Sequence, residues 1–176
     1  MCAVMAKKKS KPPRRSRKEI EARREKLDTP TLFAEHLRKV QQFEQLHPRI
    51  RDVARERFFF GQPWDAVFAA SKALINYVKE CSGLDLDGAS LVRTAFSRNK
   101  PVLAFNALAN QTDLDEQEGM MHLFEGAVLS IRNPGGHSFP KGTEERALEY
   151  ISLLSLLAYR VQEAKLRKTQ HDELQG

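Results

Sequence analysis

Residues 63–83 read PWDAVFAASKALINYVKECSG, and their spacing decides the fold. Ala66, Val67, Ala70, Ala73, Leu74, Tyr77, Val78 and Cys81 recur at three- and four-residue steps, which puts them on one face of an α-helix. Pro63 suits a first turn, where its missing N–H leaves no bond unmade, and Gly83 supplies a residue that can end the helix. The same period runs outward in both directions. Upstream, Thr29-Pro30 opens a helix with Phe33, Leu37, Val40 and Phe43 on one face. His47-Pro48 breaks it, because a residue before proline is pushed from the α region. Ile50, Val53 and Ala54 mark a short helix ending near Gly61.

Downstream, residues 88–96 predict another short helix, and residues 97–113 are the least regular stretch. Met120, Leu123, Phe124, Ala127, Val128 and Ile131 then form one stripe. Thr143 can cap a last helix expected to run to about Lys168, with Ile151, Leu154, Ala158 and Val161 in line. Leu153, Leu156 and Leu157 widen that face, so it is expected to be covered from two sides. No period-two alternation competes. The fold class is all-α: a four-helix-bundle-like domain with extra short helices.

Charge divides the chain. Residues 1–26 hold 11 of the 29 Lys/Arg and 3 of the 23 Asp/Glu, a net +8, which leaves −2 for residues 27–176. The stretch KKKSKPPRRSRK cannot bury enough surface to fold alone. It predicts a solvated arm over residues 1–28, disordered or partly helical, and beyond it a helical domain over 29–172. As a second reading, the arm holds nucleic acid electrostatically and without sequence preference. It lacks the apolar core of a secretory signal, and no apolar run reaches the roughly 20 residues that span a bilayer. Cys2 and Cys81 make no disulfide framework, so a cytoplasmic setting without membrane partners is expected. His36, His47, His122, His137 and His171 are scattered without ligand spacing, so no metal and no cofactor is expected.

Between the last two long helices stands RNPGGH, residues 132–137. Arg132 falls in the last turn of one helix, Asn133 is expected to leave the α region before Pro134, and Gly135-Gly136 let the chain reverse. His137 then lands near the start of the next helix. An Arg and a His at this separation are a weak signal alone. The adjoining Asn133 and the helix–helix junction make the signal specific. Lys72 and Asn76, one turn apart at the edge of the 63–83 stripe, are further candidates for lining a cleft.

The string RNPGGH at this junction resembles the R-x4-H motif of the HEPN superfamily (higher eukaryotes and prokaryotes nucleotide-binding). Residues 46–161, with LHPRIRDVARERFFFGQPWDAVFAASKALINYVKECSGLDLDGASL, LFEGAVLSIRNPGGH and RALEYISLLSLLAYRV, resemble its bacterial and phage Ymh-type branch. The resemblance implies a four-helix bundle that dimerises with its motifs facing each other. It further implies a metal-independent endoribonuclease, acting as a toxin or phage-defence effector, with an antitoxin or defence-system partner. Arg132 and His137 are implied as catalytic, with Asn133 the polar residue that follows the Arg. Some HEPN toxins carry a modifiable Tyr two residues after the His; this sequence has Phe139, which offers no hydroxyl.

The chemistry of RNA cleavage fits these residue types. Attack by a ribose 2′-OH on its neighbouring phosphate needs a proton acceptor working near neutral pH, and a histidine of pKa ~6.5 suits it. A guanidinium can brace two oxygens of the phosphorane as negative charge develops. One His cannot serve as base and leaving-group acid in the same step, and a two-fold homodimer would supply a second. The alternative is a non-catalytic module of the same fold that binds nucleic acid or nucleotides, or acts as an adaptor, with Arg132 as a phosphate anchor.

Overall fold

The structure, a computed structural model, describes residues 29–133 and 142–167. The arm expected over 1–28 and the expected domain end at 168–172 lie outside the described residues. Among these, six α-helices, one π-helical turn and one pair of very short strands form, so the chain is all-α. It divides into two compact units, residues 1–41 and 42–176. In the first, residues 29–41 belong to α1 (Thr29–Glu44), where Leu32, Phe33 and Leu37 are exposed. Phe43, in the second unit, is fully buried.

The second unit is built around α3 (Pro63–Ser82), which packs on α2 (Pro48–Phe59), α4 (Gly88–Ala95) and α6 (Glu144–Glu163). That central position explains a difference from the expected stripe. Ser71, Ile75 and Ser82 are buried as well, while Ala73, Tyr77 and Cys81 pack at the core's margin. A helix contacted from several sides buries more than one stripe. The ends follow the chemistry of the sequence. His47 Nδ1 accepts from the Arg49 N–H at 3.2 Å and so caps α2, Pro48 and Pro63 occupy first turns, and Gly83 takes the left-handed conformation, φ +68°.

α5 (Gln111–Ala127) is capped by Asn110, whose Oδ1 accepts from the Asp113 N–H at 3.0 Å, and α6 by Thr143, whose Oγ1 accepts from the Arg146 N–H at 3.3 Å. α6 stops at Glu163, short of the expected Lys168. Ala164 turns extended, φ −65° and ψ 141°, and β2 (Lys165–Leu166) pairs antiparallel with β1 (Leu103–Ala104). Leu103 lies opposite Leu166, and the Arg167 N–H donates to the Val102 carbonyl at 2.9 Å. Pairing with β1 thus competes with helix continuation and wins.

The irregular connection between α4 and α5 is keyed to one buried side chain. Gln117 Nε2 donates to the carbonyls of Phe96 (3.2 Å) and Leu103 (3.0 Å), and its Oε1 accepts from the Phe105 N–H (3.0 Å). Phe96, Phe105 and Phe124 pack on one another, with the tilted rings of Phe96 and Phe124 4.6 Å apart. These three bonds pair backbone polar groups that a largely irregular loop against the core would otherwise leave unmade.

Candidate functional site

α5 leads the chain into the site and changes geometry on the way. Over Val128–Arg132 it widens into a π-helical turn, and the Asn133 N–H donates to the Val128 carbonyl five residues back. Such turns are rare and concentrate at functional sites. Val128 and Ile131 remain buried, which anchors the turn to the core and leaves Arg132 at its edge. Asn133 stays in the α region, φ −67° and ψ −48°, against the expectation that Pro134 would displace it. Proline disfavours a helical residue before it without forbidding one, and the bond to Val128 offsets that penalty.

The Arg132 side chain, 26% exposed, is held at its tip. Nη2 donates to Oδ2 of Asp87 at 2.7 Å. Asp87 stands at the N-cap of α4 with an extended backbone, φ −140° and ψ 163°, and makes no side-chain cap bond to the helix. Burial alone would push its carboxyl up. The Arg132 hydrogen bond, the nearby Gly88 N–H and the charges of Arg132 and Lys79 together hold it below the usual carboxylate range. Gly88 has φ +59°, and a Cβ there would lie 3.6 Å from Arg132 Nη1 and 4.0 Å from Val128 Cγ1. The start of α4 and the π-helical turn therefore touch.

Residues 134–141, including His137 and Phe139, lie outside the described residues; Arg132 and Asn133 are the described part of the motif. The far side of that segment is fixed by Trp64. Its Nε1 donates to the Gly142 carbonyl at 3.2 Å, and its ring lies where a Gly142 Cβ would stand. Asn76 lines an open groove of about 460 Å³ with Lys79, Glu80, Gly83, Leu84 and Asp85. Lys79 Nζ donates to Asp85 Oδ1 at 2.8 Å, which raises the lysine pKa and lowers that of the carboxyl. The groove and the Asp87–Arg132 pair share the loop after α3. Lys72 does not line this groove; its ammonium sits 5.6 Å from the Phe68 ring centroid.

A second polar cluster lies farther along the α4–α5 seam. Arg93 Nε donates to Glu125 Oε1 at 2.8 Å, and His122 Nδ1 lies 3.6 Å from the other carboxylate oxygen. The Arg93 hydrogen bond holds Glu125 below the usual range against partial burial, and His122 adds to the effect. Among the described residues, no three His, Cys, Asp or Glu side chains gather as a metal-ligand set, and no helix is long and apolar enough to cross a membrane.

Asp87 and Gly88 are the site residues that the sequence reading missed. The Asp-Gly step before a short helix signals a cap, but not that the carboxylate serves an arginine 45 residues away. Residues 44–161 match the family model described as "Protein of unknown function (Hypoth_ymh)". The chain belongs to the Hypoth_ymh family. The Ymh-type resemblance of residues 46–161 therefore holds at the level of this family. No curated protein and no solved structure matches the chain. The Hypoth_ymh match contains Lys72, Asn76, Asp87, Arg132, Asn133 and His137, and stops short of the basic arm.

Proposed function

We propose that this Hypoth_ymh chain is a metal-independent endoribonuclease of the HEPN type, acting as a homodimer in a toxin or phage-defence role. In this reading Arg132 braces the phosphorane, His137 moves the proton of the 2′-OH, and Asn133 is the polar neighbour that steadies the site. The observation that carries it is the presentation of Arg132. Its guanidinium emerges from a π-helical turn, is tethered at one N–H by Asp87 and keeps further donors for a phosphate. The pair lies at the surface and not in the core: the Asp87 side chain is 62% exposed and that of Arg132 26%.

The test is incubation of the full chain with mixed RNA in EDTA. Expected are fragments with 2′,3′-cyclic phosphate ends, and losses of at least about 10²-fold in His137→Ala and Arg132→Ala. DNA of the same sequence should survive, because it lacks the attacking hydroxyl. Cleavage that persists unchanged in both variants overturns the assignment. RNA that is retained by Arg132 yet never cut would assign the chain to the non-catalytic alternative.

A further inference from the structure

We infer that Asp87 is the positioning residue of Arg132: its carboxylate fixes the guanidinium so that the remaining N–H groups face the reacting phosphate. The inference rests on the endoribonuclease reading above. Three features of the fold support it. First, an N-cap aspartate ordinarily accepts from the second or third N–H of its helix, yet Asp87 makes no such cap bond; beside the adjacent Gly88 N–H it receives Arg132 Nη2 at 2.7 Å. Second, Gly88, with φ +59°, brings the start of α4 against the turn, 3.6 Å from Nη1 to the position of a Cβ. Third, the competing cation is occupied, since Lys79 pairs with Asp85 at 2.8 Å.

A role in fold stability explains this pair poorly. Asp87 is 62% exposed, and exposed ion pairs contribute little to stability. Orientation is a different matter. An arginine side chain has several free torsions, and catalysis needs its fork aligned with two phosphate oxygens at once. A carboxylate that binds one N–H from behind removes that freedom and leaves the outward donors available.

The test compares Asp87→Ala and Asp87→Glu with the wild-type full chain. In Asp87→Ala, kcat for RNA should fall on the order of 10²-fold with KM and the melting temperature little changed. Asp87→Glu, which keeps the carboxylate, should recover most of the rate. An unchanged kcat in Asp87→Ala overturns the inference, as does an equal loss in both variants accompanied by loss of the thermal transition. A second readout separates this inference from the nuclease reading. The Arg132 side-chain Nε–H resonance should report restricted guanidinium rotation in wild type, and free rotation in Asp87→Ala. Wild type that cuts no RNA overturns the nuclease reading, and a guanidinium equally mobile in both proteins overturns the positioning role.

Discussion

At His47 a single residue joins two helix junctions. Its Nδ1 caps α2, its backbone N–H donates to Ser155 Oγ of α6 at 2.8 Å, and its Nε2 meets Gln162 Oε1 at 2.9 Å. Since Nδ1 accepts, the ring proton belongs on Nε2, which donates to Gln162. Burial pushes this imidazole's pKa below its ordinary value, the Gln162 bond partly opposes that, and the Arg49 charge lowers it further. The unfolded chain therefore binds the proton more readily, so stability is full above about pH 6.5 and declines as pH falls below it. Urea unfolding between pH 7.5 and 5.5 should show this decline in wild type and a flatter profile in His47→Asn, which keeps a capping oxygen and cannot titrate. The sequence reading identified His47 as the residue where one helix breaks. Its cap is local, reaching only Arg49, but its two bonds to α6 involve residues more than a hundred positions away, and no local pattern encodes them.

Among the elements, the connection between α4 and α5 depends most on one side chain. Replacing Gln117 by Met keeps the volume and adds apolar surface. It also leaves the Phe96 and Leu103 carbonyls and the Phe105 N–H without their partner. The expected loss is about 1–3 kcal/mol in chemical denaturation, although hydrophobicity alone predicts a gain. Gly142 makes a steric counterpart at the start of α6. A methyl group there would run into the Trp64 ring, so Gly142→Ala should cost about 1–3 kcal/mol, measured the same way. The helix starts and stops at Pro48, Pro63, Gly83, Asn110 and Thr143 obey local rules, and all but the Asn110 cap were legible. The end of α6 was not, because the residues after Glu163 are as helix-compatible as those before it. What stops them is β1, some sixty residues earlier in the chain.

For the whole molecule, the proposed shared site and the charge asymmetry give two expectations. On α6, Leu156 is 54% exposed and Leu153 only half-buried, so part of the wide apolar face lacks cover among the described residues. Light scattering should find a dimer, and mixing inactive Arg132→Ala with inactive His137→Ala subunits should restore low activity; a fully active monomer would refute the shared site. Deleting residues 1–26 removes a net +8 and takes the chain from +6 to −2. The truncated protein should fold as before and bind RNA more weakly, with a shallower salt dependence. Arg132 and Asn133 could be read as a site because sequence neighbours carry the motif. Asp87 could not, because only the packing of α4 on the π-helical turn makes it their neighbour.

That turn also governs how the chain tolerates length changes. A π-helical turn is an α-helix with one residue too many, so deleting one residue from 128–132 would leave a regular helix behind. Four α-helical residues, at about 100° each, complete roughly the single turn that these five residues complete. Deleting the exposed Leu129 or Ser130 would therefore leave Val128 in the core and Arg132 close to its phase with Asp87. A family member one residue shorter at this point would still turn its arginine toward the same carboxylate.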